Sequence, residues 1–189
     1  MISLHQQHIK KWDDCKLCTL CETRNKMVFA RGQVPCDVLF VGEAPGESEN
    51  VLGRPFVGPA GQLLDVIIRK ALPDTMKIAL TNLVCCIPRD ADGSKTSEPE
   101  DVSIIACSER LKEFVKIADP KLLVAVGTLA RDWLTPGYKY SIKIHKTIRL
   151  IDIVHPAAIL RANVAQRGMA IQRAVVKLAT AVDDLFKED

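Results

Sequence analysis

Val38-Leu39-Phe40-Val41-Gly42-Glu43-Ala44-Pro45-Gly46-Glu47 is a short apolar run that breaks directly into a glycine-containing loop. An uninterrupted, β-branched run of this kind predicts a strand buried on both faces, because a strand with one wet face alternates polar and apolar residues. The glycines after it permit a tight turn and let a ligand approach the backbone. A phosphate-binding loop would carry G-x-G-x-x-G or a Walker lysine, and neither is present. Glu43, Glu47 and Glu49 would repel phosphates. The loop suits a neutral ring or a developing positive charge.

Working outward, Ile78–Val84, Leu122–Val126 and Ile148–Val154 have the same strand character. Helical patterns lie between and after them. Gln62–Ala71 and Pro99–Ile117 have apolar residues at helical spacing, the second with Glu98, Glu100 and Asp101 near its start, where negative charge suits the helix dipole. Thr128–Leu134 is shorter, and Ala165–Phe186 closes the chain with a stripe through Ile171, Val175, Leu178, Val182 and Leu185. Strands alternating with helices predict an α/β fold, a three-layer α/β/α sandwich around a central, mostly parallel four-stranded sheet. We expect one domain over residues 1–189, with no internal repeat or linker.

Ligands of such sheets bind beyond the carboxyl ends of the strands. Here those junctions are Gly42–Gly46, Asn82–Cys86, Gly127-Thr128 and His155-Pro156, so one shared pocket is expected. The stretch Gly53-Arg54-Pro55-Phe56-Val57-Gly58-Pro59-Ala60-Gly61 adds an aromatic outside any periodic face. Phe56 could plug the core or stack on a base. Pro88 to Pro99 is polar, bounded by prolines, and reads as a surface loop.

A chain of 189 residues that is 48% apolar can build a full core without disulfides. The net charge, 26 − 23 = +3, permits nucleic-acid contact without implying it. No apolar run reaches the roughly 18 residues of a membrane span, and the first residues carry no signal-peptide pattern. The expectation is a cytoplasmic monomer with no membrane association. Seven cysteines, an odd number, point away from a disulfide framework and toward metal ligation plus buried thiols. Cys15-Lys16-Leu17-Cys18 is a C-x-x-C pair, and Cys86 and Cys107 can complete four ligands. Zinc and a [4Fe–4S] cluster share that signature. Cys36 reads as a small buried hydrophobe. Cys21 reads as a spare ligand or a buried thiol. Cys85 and Cys86, adjacent at a strand end, are expected to face opposite ways.

These pieces, taken in order, resemble the family 4 uracil-DNA glycosylases, the iron–sulfur branch of that superfamily. The resemblance is carried by Cys15-x-x-Cys18, Val41–Glu47, Gly53–Leu64, Thr81-Asn82-Leu83-Val84-x-Cys86, Cys107, and His155-Pro156-Ala157-Ala158-Ile159-Leu160-Arg161, over about residues 12–175. It implies excision of uracil from DNA by hydrolysis of the N-glycosidic bond, on a base flipped out of the stack. It implies a [4Fe–4S] cluster on Cys15, Cys18, Cys86 and Cys107. Carried over residue by residue, Phe56 stacks on uracil and Asn82 bonds its Watson–Crick edge, offering a donor to O4 and an acceptor to N3–H. His155 stabilises the departing base anion at O2. Gly42, Ala44 and Gly46 line the sugar side of the pocket, with Glu49 nearby. No carboxylate stands at Ala44, which leaves Glu43 to orient water or stabilise the sugar cation. Ala157–Arg161 forms a DNA-facing loop in which Ile159 or Leu160 wedges into the gap and Arg161, with Arg167, holds phosphates.

The chain departs from the family pattern at Asn50, at Cys85, at Ile87-Pro88-Arg89-Asp90 and at His145-Lys146. The loop between Pro88 and Pro99 has no histidine, so covalent capture of uracil-DNA is not expected. The rival reading is a DNA-binding or uracil-sensing module with the same fold and cluster and little excision. An electron-transfer iron–sulfur protein would not need the Phe56, Asn82 and His155 set.

Overall fold

The computed structural model describes residues 2–90, 93–138, 141–144 and 148–187. His145-Lys146 lies outside these residues. The strands are β1 (Ala30–Gly32), β2 (Val38–Gly42), β3 (Ile78–Asn82), β4 (Leu122–Val126) and β5 (Arg149–Ile153). The helices are α1 (Leu4–Trp12), α2 (Glu47–Leu52), α3 (Pro59–Ala71), α4 (Asp101–Ala118), α5 (Thr128–Leu134), α6 (Pro156–Arg161) and α7 (Val164–Lys187). The sheet order is β1-β3-β2-β4-β5, with only β1 antiparallel to its neighbour.

The α/β architecture agrees with the sequence reading, but the sheet has five strands, not four. The added strand, β1, is Ala-Arg-Gly along the edge beside β3. Three residues with one apolar side chain carry no periodicity to read. β3 also stops at Asn82, two residues short of the expected Val84. Val84 to Cys86 leave the sheet in a bend.

The alternation of the central strands builds both layers of core. Leu39, Val41, Ala79, Leu123 and Ala125 face one side, where they meet Ile104, Leu111, Phe114 and Val115 of α4 and Trp133 of α5. Val38, Phe40, Leu80, Leu122, Val124 and Val126 face the other, against Leu64, Ile67 and Ile68 of α3 and Leu178 and Val182 of α7. Each fully buried large side chain contributes about 1.5–3 kcal/mol by leaving water. The expected stripe of α7 packs as read.

The N-terminal segment is held to α4 by specific contacts. Ser3 and Gln6 close a capping box at the start of α1. At its end, Trp12 Nε1 donates to Glu113 Oε2 at 2.8 Å, and Lys11 pairs with the same carboxylate. This docking carries Cys15 and Cys18 to the bend after β3. Among the described residues, no helix is long and apolar enough to cross a membrane.

Candidate active site

The carboxyl ends of the parallel strands meet in one cavity of about 830 Å³. Glu43, Ala44, Pro45 and Gly46 line it from the β2 loop, Asn82 from β3, Gly127 and Thr128 from the β4–α5 turn, and His155 and Arg161 from α6. Glu49, Phe56 and Gly61 line it from the connection into α3. The structure therefore brings together Glu43, Ala44, Gly46, Glu49, Phe56, Asn82 and His155 around one cavity, with Gly42 against Phe56 and Asn82.

Gly42 and Asn82 are register partners in the sheet. A methyl carbon on Gly42 would lie 2.4 Å from Phe56 Cζ and 2.6 Å from Asn82 Oδ1. The absent side chain is what allows the ring and the carboxamide to converge over one backbone point. Asn82 is 3% exposed, and among the described residues no protein group hydrogen-bonds its carboxamide. Asn82 lines the cavity, so its donor and acceptor are open to a ligand there.

Phe56 has a left-handed backbone, φ 56°, which an L-residue adopts only when its surroundings hold it. Arg31 of β1 donates from Nε to the Pro55 carbonyl at 2.8 Å and from Nη2 to the Phe56 carbonyl at 3.3 Å, while also pairing with Asp65. The Glu49 carboxylate accepts from Gly46 N at 3.1 Å and from Val57 N and Gly58 N at 2.8 Å each. Glu49 was expected to contact substrate. It lines the cavity, and its carboxylate accepts from three backbone donors that bind the β2 loop to the Phe56 turn. Its place three residues after Gly46 is the spacing by which a carboxylate returns to a helix start. Arg31 left no comparable signal. Asn50, fully buried, accepts from Asn25 N at 2.8 Å and ties the segment after the C-x-x-C pair to α2.

His155 caps α6. Its Nδ1 accepts from Ala157 N at 3.2 Å, so in the neutral ring the proton sits on Nε2. Burial, and then the charge of Arg161, holds this imidazole below its ordinary range. The site thus presents a neutral ring with a donor at Nε2. Gly127 makes room for it, since a methyl carbon there would lie 3.1 Å from His155 Cβ. Burial, and then the Glu98 carboxylate, raises Glu43 above the usual carboxylate range. Glu98 reaches the cavity from the Pro88–Pro99 loop, which Arg89 anchors to Glu47 through two bonds of 2.7 and 2.9 Å. Sequence reasoning missed Glu98 because a charged residue in a polar loop looks solvated.

The expected DNA-facing loop 157–161 is helix α6. Ile159 is 2% exposed and packs in the core with α3 and α7, so it is not available as a wedge. Leu160 is half-buried and Arg161 exposed at the cavity rim. Arg167 donates to the carbonyls of Ala162 and Leu160, closing the end of α6.

Cys15, Cys18, Cys86 and Cys107 line a second, apolar cavity with Leu17, Leu20, Met27 and Val84. Cys85 lines it too. The expectation that Cys85 and Cys86 face opposite ways fails because they lie in a bend, where strand alternation does not apply. Cys21 ends a 3-10 turn, Thr19–Cys21, and is not part of that lining, while Cys36 is buried in the core. Arg24 Nη1 donates to Cys15 O at 2.7 Å and lies 3.4 Å from Cys86 Sγ. Among the described residues, no three His, Cys, Asp or Glu side chains gather as a single metal ion requires.

The fold and the strand-end pocket agree with what known proteins show. The family model of the uracil DNA glycosylase superfamily matches residues 29–179, and the chain belongs to that superfamily. The type-4 uracil-DNA glycosylase of Thermotoga maritima is 31% identical over the whole chain and 96% of its own length, which places this chain in the type-4 group. The type-4 uracil-DNA glycosylase of Sulfurisphaera tokodaii is 40% identical over 60% of this chain, and the match spans half of that protein's length. Among solved structures, wild-type Pedobacter heparinus SMUG2 superposes with a TM-score of 0.58 at 14% identity, covering 79% of this chain and 76% of that one, a likeness of fold.

Proposed function

We propose that this chain removes uracil from DNA as a base-excision repair hydrolase. The observation that carries the reading is the convergence of the Phe56 ring and the Asn82 carboxamide over Gly42, in the pocket that His155 also lines. Uracil slides against Phe56. Asn82 donates to O4 and accepts from N3–H, a pattern that cytosine inverts. As the C1′–N1 bond breaks, its electron pair goes to the base, and the Nε2–H of His155 donates to O2 as negative charge builds there. Water adds to C1′ of the sugar cation and gives its proton to Glu43. The products are an abasic site and the uracil anion, which takes a proton from solvent while Glu43 returns its own, leaving neutral uracil and the starting carboxylate. Gly42, Ala44 and Gly46 form the sugar wall, and Leu160 and Arg161 meet the DNA.

The donor set suits an iron–sulfur cluster: Cys15, Cys18, Cys86 and Cys107 line one cavity. The nearby Arg24 suits anionic thiolates. A [4Fe–4S] cluster on Cys15, Cys18, Cys86 and Cys107 would supply a brace between the N-terminal segment, the bend after β3 and α4. The hydrolysis moves no electrons between reactants and cofactor. We place the protein in the cytoplasm as a monomer.

The test is excision from a uracil-containing oligonucleotide, read as strand breaks after alkali. Activity that Asn82→Ala and His155→Ala abolish supports the reading. Binding without breaks in the parent protein would favour the uracil-sensing module instead. An iron-specific absorbance near about 400 nm separates the cluster from zinc.

A further inference from the structure

Arg110 is the most deeply buried charge in the described chain, 1% exposed beneath the end of β3. It stands one turn after Cys107 on α4, so the two side chains share a helix face. Its Nη2 donates to the Asn82 carbonyl at 2.7 Å and the Leu83 carbonyl at 2.8 Å, and its Nη1 to Thr81 Oγ1 at 3.2 Å. Thr81 Oγ1 in turn donates to the Phe29 carbonyl at 2.6 Å. Arg110 Nε has no partner. Cys107, Cys85 and Cys86 are its neighbours on the side of the cysteine cavity.

A guanidinium cannot lose its proton in a protein. Buried without a counter-charge it is strongly destabilising. Every acceptor hydrogen-bonded to Arg110 is neutral, and one turn away on α4 lies Cys107, which lines the cysteine cavity with Cys85 and Cys86. The remaining titratable neighbour, His8 on α1, is pushed toward its neutral form. Cysteines are thiolates when they ligate a cluster, so Cys107 and Cys86 would then supply the missing counter-charge, and the same guanidinium grips the backbone from which Asn82 projects.

Resting on the function proposed above, we propose that Arg110 is a positioning residue that joins the cluster to base recognition. Its charge balances the cluster thiolates, and its planar fork fixes the Asn82 and Leu83 carbonyls, so the cluster sets where the Asn82 carboxamide points. The two roles divide between two variants. Lysine keeps the charge but lacks a fork that can hold three acceptors. Methionine keeps the apolar length and loses both.

The experiment measures iron per chain, the cluster absorbance, and kcat and KM on uracil-containing DNA for the parent protein, Arg110→Lys and Arg110→Met. Arg110→Lys is expected to keep the parent's iron while kcat/KM falls about tenfold, the scale of losing a charge-assisted hydrogen bond, and DNA binding stays unchanged. Arg110→Met is expected to lose iron. If Arg110→Met does not fold, Arg110→Gln gives the charge-loss reading. Full iron in a folded charge-loss variant overturns the counter-charge role, and parental kcat/KM in Arg110→Lys overturns the positioning role. A parent protein that fails to excise uracil defeats the proposed function instead, while the iron comparison still reads the counter-charge.

Discussion

A methyl carbon on Gly61 would stand 1.9 Å from the carbonyl oxygen of Phe56. The first turn of α3 therefore lies directly against the backbone of Phe56, the residue proposed to stack on uracil. That contact, with Arg31 and Glu49, holds Phe56 in its left-handed conformation. We expect Gly61→Ala to displace the ring and weaken uracil stacking, which is worth about 1–3 kcal/mol per base. Steady-state kinetics on uracil-containing DNA should show kcat/KM down by about tenfold or more. A variant with parental kinetics would mean that the ring does not carry the stacking.

Glu49 offers a second entry to the same turn. Its carboxylate gathers three N–H donors from two loops. In Glu49→Gln one oxygen becomes an NH2 group that faces donors. We expect a stability loss of about 2 kcal/mol, the scale of a charge-assisted hydrogen bond, seen as a lower Tm. Excision should fall with it, because the loop and the Phe56 turn separate. A direct substrate role would instead reduce activity at unchanged Tm.

The strands and the pocket are legible in sequence for a physical reason. Leu122–Val126 lies between Lys121 and Gly127, so both boundaries are marked by chemistry, and the observed β4 has those limits. Asn82 and His155 are legible because the carboxyl-end rule points at the residues that follow apolar runs. What escapes is held by long-range contact. Ala30-Arg31-Gly32 becomes a strand only because the edge of β3 accepts it. Ile159 faces the core because α6 packs against α3 and α7, and six residues after a proline do not announce which side is inward. Arg110 looks like an ordinary exposed helix residue until the cysteines and β3 close over it.

His8 predicts how stability depends on pH. It is packed against Phe29 and Phe114 with neither ring nitrogen hydrogen-bonded. Burial, and then the Arg110 charge, lowers its pKa from 6.5 to about 4, against the opposing pull of Glu113 and with small contributions from His5 and Lys11. The unfolded chain takes up this proton near pH 6.5 and the folded chain only near pH 4, so the stability from a neutral His8 is full above 6.5 and is lost as pH falls toward 4. The loss reaches at most about 3 kcal/mol. His8→Phe suits the aromatic site and should flatten denaturant-measured stability across that window. An unchanged slope would assign the acid sensitivity to other groups.

Glu43 and Glu98 predict the acid limb of catalysis. Glu43 is raised above the usual carboxylate range, first by burial and then by the Glu98 charge. In the proposed mechanism the base form of Glu43 takes a proton from water, so kcat should fall as pH drops through this raised value, earlier than for an exposed carboxylate. The neighbouring His155 is lowered by burial and then by Arg161, which favours its neutral form. Glu98→Gln removes the like charge while leaving Glu43 buried, and should move the limb to lower pH with little change in kcat at neutral pH. Glu43→Gln should cost about 10²- to 10⁴-fold in kcat, the scale of general-base catalysis. If Glu43→Gln keeps both its rate and its acid limb, water is activated by another group, and the Glu98 variant then shows whether the cavity's acidic pair matters at all.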